Sequence, residues 1–231
     1  MNAVIGGTSL LSSSIFRSWK NRNIKTPYGN IQVKASNNTI FLQRHGSPPV
    51  PPHTINHRGN IWALKKLGVQ KIISINSVGS LKTSIKPGIF VIPDDFMSVW
   101  NIPTFFDKEM GFFIPEMDKT IARLLYNLCK GLSIRVKSGG IYIQTIGPRF
   151  ETRAEINMLK RFGDIVGMTM ASEATLAMEY GIPYASICSI DNYCNGIIKI
   201  PLTLEKIRDN VRENLDNIEL IIKTLIQKDF T

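Results

Sequence analysis

From residue 54 onward, short apolar runs ending in glycine or a polar turn alternate with stretches of helical period. Residues 54–67, TINHRGNIWALKKL, place Ile55, Ile61, Leu64 and Leu67 near helical spacing, and Gly68 stops the run. KIISIN follows as a buried strand and GIFVIP as another, and residues 117–130 read as a helix. SIRVKSGGIYIQT reads as one long strand, bulged at Gly139-Gly140. A helix over 152–162, strand DIVGM, a helix over 172–180, strand YASICSI and a last helix over about 203–227 continue the alternation. Ahead of residue 54, NAVIGG reads as a strand entering a glycine turn, and IQVKAS with NTIFLQR as a hairpin through Asn37-Asn38. A chain that keeps exchanging strand for helix buries its apolar faces as a sheet covered by helices. The expected class is α/β, a twisted mixed sheet flanked by helices. No linker or repeat divides residues 1–231, so one domain is expected.

Composition narrows the function classes. No segment approaches the roughly 18 consecutive apolar residues of a membrane helix, and MNAVIGGTSLL lacks the basic start and long apolar core of a signal peptide. The three cysteines, Cys129, Cys188 and Cys194, have no metal-ligand spacing, so no metal site is expected. Cys188, in an apolar run, reads as a buried thiol, and a reducing cytoplasm is the expected location. The net charge of +10 comes from lysines and arginines scattered singly or in pairs, with no dense block interleaved with aromatics. That pattern suits drawing small anions into a cleft better than tracking a nucleic acid. The non-enzymatic alternative is a basic nucleotide- or RNA-binding protein.

The segment TIGPRFETRAE concentrates charge. Thr152 and Glu155 stand three apart at the start of a helical run, the spacing of a capping box. Glu155 therefore has a structural task, and Arg153 faces out of the first turn. Glu151 precedes the cap on a loop leaving the sheet, where α/β proteins bind ligands; an exposed loop carboxylate is the other reading. Three more turns carry small or polar residues. IGGTS offers glycine amides and the Thr8 hydroxyl, and LQRHG ends a strand with Arg44-His45, whose arginine fork suits a phosphate dianion. SINSVGSL turns through Asn76-Ser77-Val78-Gly79, where amides could cap an anion. IGGTS lacks G-x-G-x-x-G and a Walker lysine, which argues against dinucleotide and ATP sites. Each of the three also suits a plain turn.

The ordered series GGTS, RHG, INHRGNIWALKKLG, NSVGSLKTSIKPG, GPRFETRAEI, IVGMTMASEATLAMEYGIPYASI and DNY resembles the trimeric purine nucleoside phosphorylases. Within them it is most similar to the 5′-methylthioadenosine and methylthioinosine branch. The resemblance runs from about residue 4 to residue 214. It implies reversible phosphorolysis of a purine nucleoside to free base and pentose 1-phosphate, with phosphate as co-substrate and no cofactor or metal. It also implies a homotrimer or dimer of trimers, with active sites at subunit contacts. By the same resemblance Thr8, Arg44, His45, the Ser77 amide and Thr169 hold phosphate. Met168 packs on the ribose, Phe150 lies on the purine, and Glu151 and Asn192 read its edge. Phe113, in GFFIPEM, aligns with a residue lent by a neighbouring subunit.

Base choice turns on Glu151, because a 6-oxopurine donates N1–H to a carboxylate and adenine presents a bare lone pair. Adenosine-type members usually carry serine there and aspartate at the position of Asn192, so 6-oxopurines are expected. Asp191 keeps the 6-aminopurine alternative open, since a one-residue shift in register would present it to N7. Nucleoside-preferring members bond the 5′-hydroxyl with a histidine near the start of the last helix. Here PLTLEKI places Leu204 at that position with Ile207 nearby, which suits a methylthio group. The expected substrate is 5′-methylthioinosine, with inosine and guanosine poorer.

Overall fold

The computed structural model describes residues 1–100 and 102–230. Its strands are β1 (Asn2–Gly6), β2 (Lys20–Thr26), β3 (Gly29–Ser36), β4 (Thr39–Gln43), β5 (Lys71–Ser80), β6 (Phe90–Ile92), β7 (Asp95–Ser98), β8 (Val136–Ser138), β9 (Ile141–Gln144), β10 (Ile165–Gly167) and β11 (Tyr184–Tyr193). The helices are α1 (His57–Lys66), α2 (Lys119–Gly131), α3 (Arg153–Leu159), α4 (Met170–Glu179) and α5 (Leu204–Gln227). All eleven strands join one mixed sheet. At its centre β1 lies parallel to β4 and β5, and β5 parallel to β11, while β10 meets the end of β5 antiparallel.

The central strands are near-continuous apolar runs because helices cover both faces. Their alternation separates two cores. Ala3, Ile5, Ile72, Tyr184 and Cys188 pack with Ile61 and Leu64 of α1 and Ala174 and Ala177 of α4. Val4, Ile73, Ile75, Ala185 and Ile187 pack with Ile121 and Leu125 of α2 and Ile218, Ile221 and Ile222 of α5. Each such aliphatic side chain contributes about 1.5–3 kcal/mol when fully buried. The expected α/β class is the observed one, and among the described residues no helix is long and apolar enough to cross a membrane.

Two expectations about elements need correction. SINSVGSL does not turn at Asn76: β5 runs on to Ser80, with Ser77 opposite Ser189 and Val78 opposite Ile190 of β11. The polar side chains read as a turn are accommodated because several of them hydrogen-bond in the interior. The run through Gly139-Gly140 is two strands, not one. Both glycines adopt positive φ, 80° and 131°, so β8 goes to β6 and β9 to β7 and β10. One strand, β2, has no counterpart in the sequence reading, since five of its seven residues are exposed, Lys20 to Asn23 and Lys25. It is a polar sheet edge, a composition that discourages pairing with other chains, and it leaves no hydrophobic signal to read.

Candidate functional site

The carboxyl ends of β1, β4 and β5 bring Thr8, Arg44, His45 and Ser77 to one cavity of about 260 Å³, which Thr169 at the start of α4 also borders. That volume lies just below the usual span of small-molecule sites, about 300–1,000 Å³. Arg44 borders the cavity with most of its fork already engaged. Its fork grips a protein carboxylate: Nε donates to Glu173 Oε1 at 2.6 Å and Nη2 to Oε2 at 3.2 Å. Nη2 also donates to Ser74 Oγ at 2.7 Å and Nη1 to the Ile75 carbonyl at 2.8 Å. One Nη1 proton of the five N–H groups is left for a ligand. Gly7 makes this possible, since a side chain there would strike Nη1.

Glu173 is the residue that sequence reasoning missed. It is buried, and Oε2 also accepts from Ser74 Oγ at 2.9 Å and Tyr184 Oη at 3.0 Å. Burial alone would raise its pKa, but Arg44 beside it holds the carboxyl below its ordinary value. Asn76 extends the network, donating to Ser74 Oγ at 2.8 Å and accepting the Thr169 hydroxyl at 3.0 Å. His45 Nδ1 lies 2.8 Å from the Val50 carbonyl, so that nitrogen carries the proton and Nε2 is left as an acceptor. Burial lowers its pKa below the ordinary histidine value, keeping the ring neutral.

The charges of TIGPRFETRAE sort themselves by partner. Thr152 caps α3, its hydroxyl taking the Glu155 amide at 3.2 Å while the Glu155 carboxylate takes the Thr152 amide at 2.7 Å. Arg149 closes on the same carboxylate with two bonds of 2.8 Å, which draws Glu155 down to about 2. Thr152→Ala is expected to cost about 1 kcal/mol in a urea-unfolding measurement. Glu151 alone of these acids borders the cavity. Its Oε1 accepts from Thr145 Oγ1 at 2.6 Å, and Oε2 has no partner among the described residues. Phe150 and Met168 border the same space.

At the end of β11 the register against β5 slips between Ile190 and Asn192. The irregularity brings consecutive side chains to one face. Asn192 projects over Gly79, and Asp191 makes a bond of 2.5 Å with Ser189, two residues earlier. Both border the cavity, as does Cys194, which sequence reasoning left out. Asn192 Nδ2 gives one proton to the Tyr193 carbonyl at 3.0 Å and keeps another. Burial pushes the Asp191 carboxyl up to about 6, against the hydroxyl of Ser189 and the amide of Asn214.

Two expected residues lie elsewhere. Leu204 is 59% exposed on the first turn of α5; the apolar wall is made by Leu202, just ahead of the helix, and by Ile207 and Val211 of α5. Phe113 borders a different depression with Met178 and Tyr184, so within a single chain it does not reach the cavity.

A model of the phosphorylase superfamily matches residues 4–227. The chain belongs to this superfamily. Among the relatives of this phosphorylase is the probable 6-oxopurine nucleoside phosphorylase of Archaeoglobus fulgidus, 37% identical over 233 residues and 96% of each chain. Another is the probable S-methyl-5′-thioinosine phosphorylase of Methanocaldococcus jannaschii, 39% identical over 238 residues, 100% of this chain and 93% of that one. The fold is shared with a mutant adenosine/methylthioadenosine phosphorylase of Schistosoma mansoni, crystallised with methylthioadenosine. The TM-score is 0.85 at 28% identity, over 95% of this chain and 88% of the other. The cavity of the phosphorylase thus joins hydroxyl, guanidinium and imidazole groups to a free carboxylate oxygen and a carboxamide.

Proposed function

We propose that the cavity carries out reversible phosphorolysis of 6-oxopurine nucleosides with an apolar 5′ substituent, 5′-methylthioinosine first, with inosine and guanosine as poorer substrates. The products are free base and (5-methylthio)ribose 1-phosphate, and phosphate is the only co-substrate required. The observation that carries this reading is Glu151, whose Thr145-anchored carboxylate leaves Oε2 free at the cavity. Such an acceptor suits the N1–H of a 6-oxopurine and repels the N1 lone pair of adenine. The relatives named for 6-oxopurine nucleosides and methylthioinosine support the same choice.

The bond broken joins C1′ to a purine nitrogen, and its cleavage leaves a cation-like sugar and a purine gaining negative charge. Phosphate, held by the remaining Arg44 proton with the Thr8, Ser77 and Thr169 groups, is nucleophile and counter-charge together. The neutral His45 Nε2 accepts a hydroxyl of phosphate or sugar. Met168 packs on the ribose and Phe150 on the base, while the spare Asn192 N–H stabilises the departing base at N7. Holding the reactants in line contributes several kcal/mol, up to about 7–11 in favourable cases. The 6-aminopurine reading keeps one specific observation in its favour, the buried Asp191 acid beside Asn192, which would donate to N7 of adenine.

The wall of Leu202, Ile207 and Val211 would leave a 5′-hydroxyl unpaired. In a competition assay, kcat/KM for methylthioinosine should exceed that for inosine by roughly ten- to a hundredfold. Equal values would exclude the apolar 5′ subsite, and a faster reaction with methylthioadenosine would favour the 6-aminopurine reading. The reading includes assembly as a homotrimer or dimer of trimers, in which Phe113 serves a neighbouring copy. Met110, Phe112 and Ile114, each more than 85% exposed, support burial of that loop against another subunit. A cytoplasmic location is proposed with it, in keeping with three cysteines that are buried and unbridged.

A further inference from the structure

One face of α5 converges on the end of β11. Ile207, Asn210, Val211 and Asn214 follow one another at helical spacing. Ile207 and Val211 border the cavity. Asn210 Nδ2 donates to the Asp191 carbonyl at 2.5 Å. Asn214 Nδ2 donates to Asp191 Oδ1 at 3.1 Å and to Ser189 Oγ at 2.8 Å. Ser189 Oγ donates to the same Oδ1 at 2.5 Å. With Oδ1 occupied by two donors, a proton on this carboxyl belongs on Oδ2. Among the described residues Oδ2 is buried with no group at full hydrogen-bond geometry, on a residue only 2% exposed that borders the cavity. The Ser77 hydroxyl approaches this carboxyl, and Thr8 Oγ1 donates to Ser77 Oγ at 3.5 Å.

We propose that Asp191, oriented by Asn214, takes up a proton when a phosphate dianion binds and, as a neutral acid, donates a hydrogen bond from Oδ2–H to one of its oxygens. The proposal rests on the phosphorolysis reading for the identity of the anion. An ionised carboxylate at this place would repel the dianion inside a poorly solvated cavity, whereas the acid adds a donor where Oδ2 has none of its own. Asn214 is a positioning residue in this scheme, because it holds the other oxygen and so sets the direction of Oδ2. The groups facing Asp191 are Ser77 of β5, Ser189 and the Cys188 thiol of β11, and Asn210 and Asn214 of α5. Burial pushes Cys188 up to about 12, so it stays neutral. Arg44, His45 and Glu151 share the cavity.

Linkage makes this measurable: an anion that binds only the protonated form takes up a proton from solvent. Sulfate is the probe, because it remains a dianion across the range and any proton taken up belongs to the protein. Titration calorimetry in two buffers of different ionisation enthalpy at pH 7 should find close to one proton taken up per sulfate. Affinity should fall about tenfold per pH unit above the Asp191 pKa. Asp191→Asn keeps a donor without an ionisation, so it should bind sulfate with that proton lost and the pH dependence flattened. Asn214→Ala should bind sulfate several-fold more weakly at pH 6 while hypoxanthine affinity is unchanged. His45→Gln is the control, in which the Asp191 proton uptake persists.

Proton uptake that survives Asp191→Asn, uptake that accompanies hypoxanthine instead of sulfate, or no sulfate binding by the wild type would each overturn the proposal. Phosphorolysis by the wild type is measured alongside. Turnover without proton-linked sulfate binding removes the role of Asp191 and leaves the proposed function standing. Linked sulfate binding without turnover of any purine nucleoside does the reverse.

Discussion

Glu173→Ala is expected to lower the unfolding free energy by about 3–5 kcal/mol and to reduce phosphate-dependent turnover at least a hundredfold. The carboxylate takes two of the four protein hydrogen bonds from the Arg44 guanidinium, and the two side chains are 1–2% exposed. Its loss strands a buried cation, which is why truncating one member costs far more than the intact pair contributes. Freed from Glu173, the guanidinium has no fixed direction for its remaining proton, so the anion site loosens as well. Glu173→Gln separates the two effects, since it preserves shape and an acceptor while removing the charge. It should lose less stability and show mainly a raised KM for phosphate. Because the folded-state pKa of Glu173 is depressed, this stabilisation is present above the ordinary carboxylate range and fades as pH falls through the lowered value. Urea unfolding at pH 7 measures the first effect, and an unchanged midpoint for Glu173→Ala would contradict the account.

Glu151→Gln is expected to lower kcat/KM for inosine-type nucleosides by about ten- to a hundredfold, the equivalent of losing a charge-assisted bond of roughly 1.5–3 kcal/mol. The same change should spare or improve methylthioadenosine, because a glutamine amide can donate to the bare N1 of adenine. The ratio of the two specificity constants is therefore the quantity to measure. Equal losses on both substrates would reduce Glu151 to an anchor for its loop, held by Thr145 Oγ1 and by Asn195 on its carbonyl. A concurrent thermal melt distinguishes that outcome from unfolding.

Much of this architecture was legible in residue order because burial is written locally. The alternation along NAVIG and KIISI that splits the two cores is a property of adjacent residues, as is the Thr152–Glu155 cap. Ten of the residues expected at the site border the cavity, since turns at strand ends are recognisable and strand ends gather at one edge of such a sheet. Leu204 misses the cavity because the cavity-facing stripe of α5 begins at Ile207, whereas Phe113, expected to serve a neighbouring subunit, sits in a long connection whose path no periodicity describes.

Residue order by itself determined which segments are strands and helices, which faces are apolar and which loops carry anion-binding chemistry, because these follow from periodicities of two and 3.6 residues. Only the tertiary structure decided that Arg44 is spent on Glu173, 129 positions away, that a slip in β11 turns Asp191 and Asn192 to the same side, and that α5 holds the Asp191 carboxyl. Those outcomes depend on strand register and helix docking across the whole sheet. A polar side chain carries no local mark of the partner that packing will bring to it.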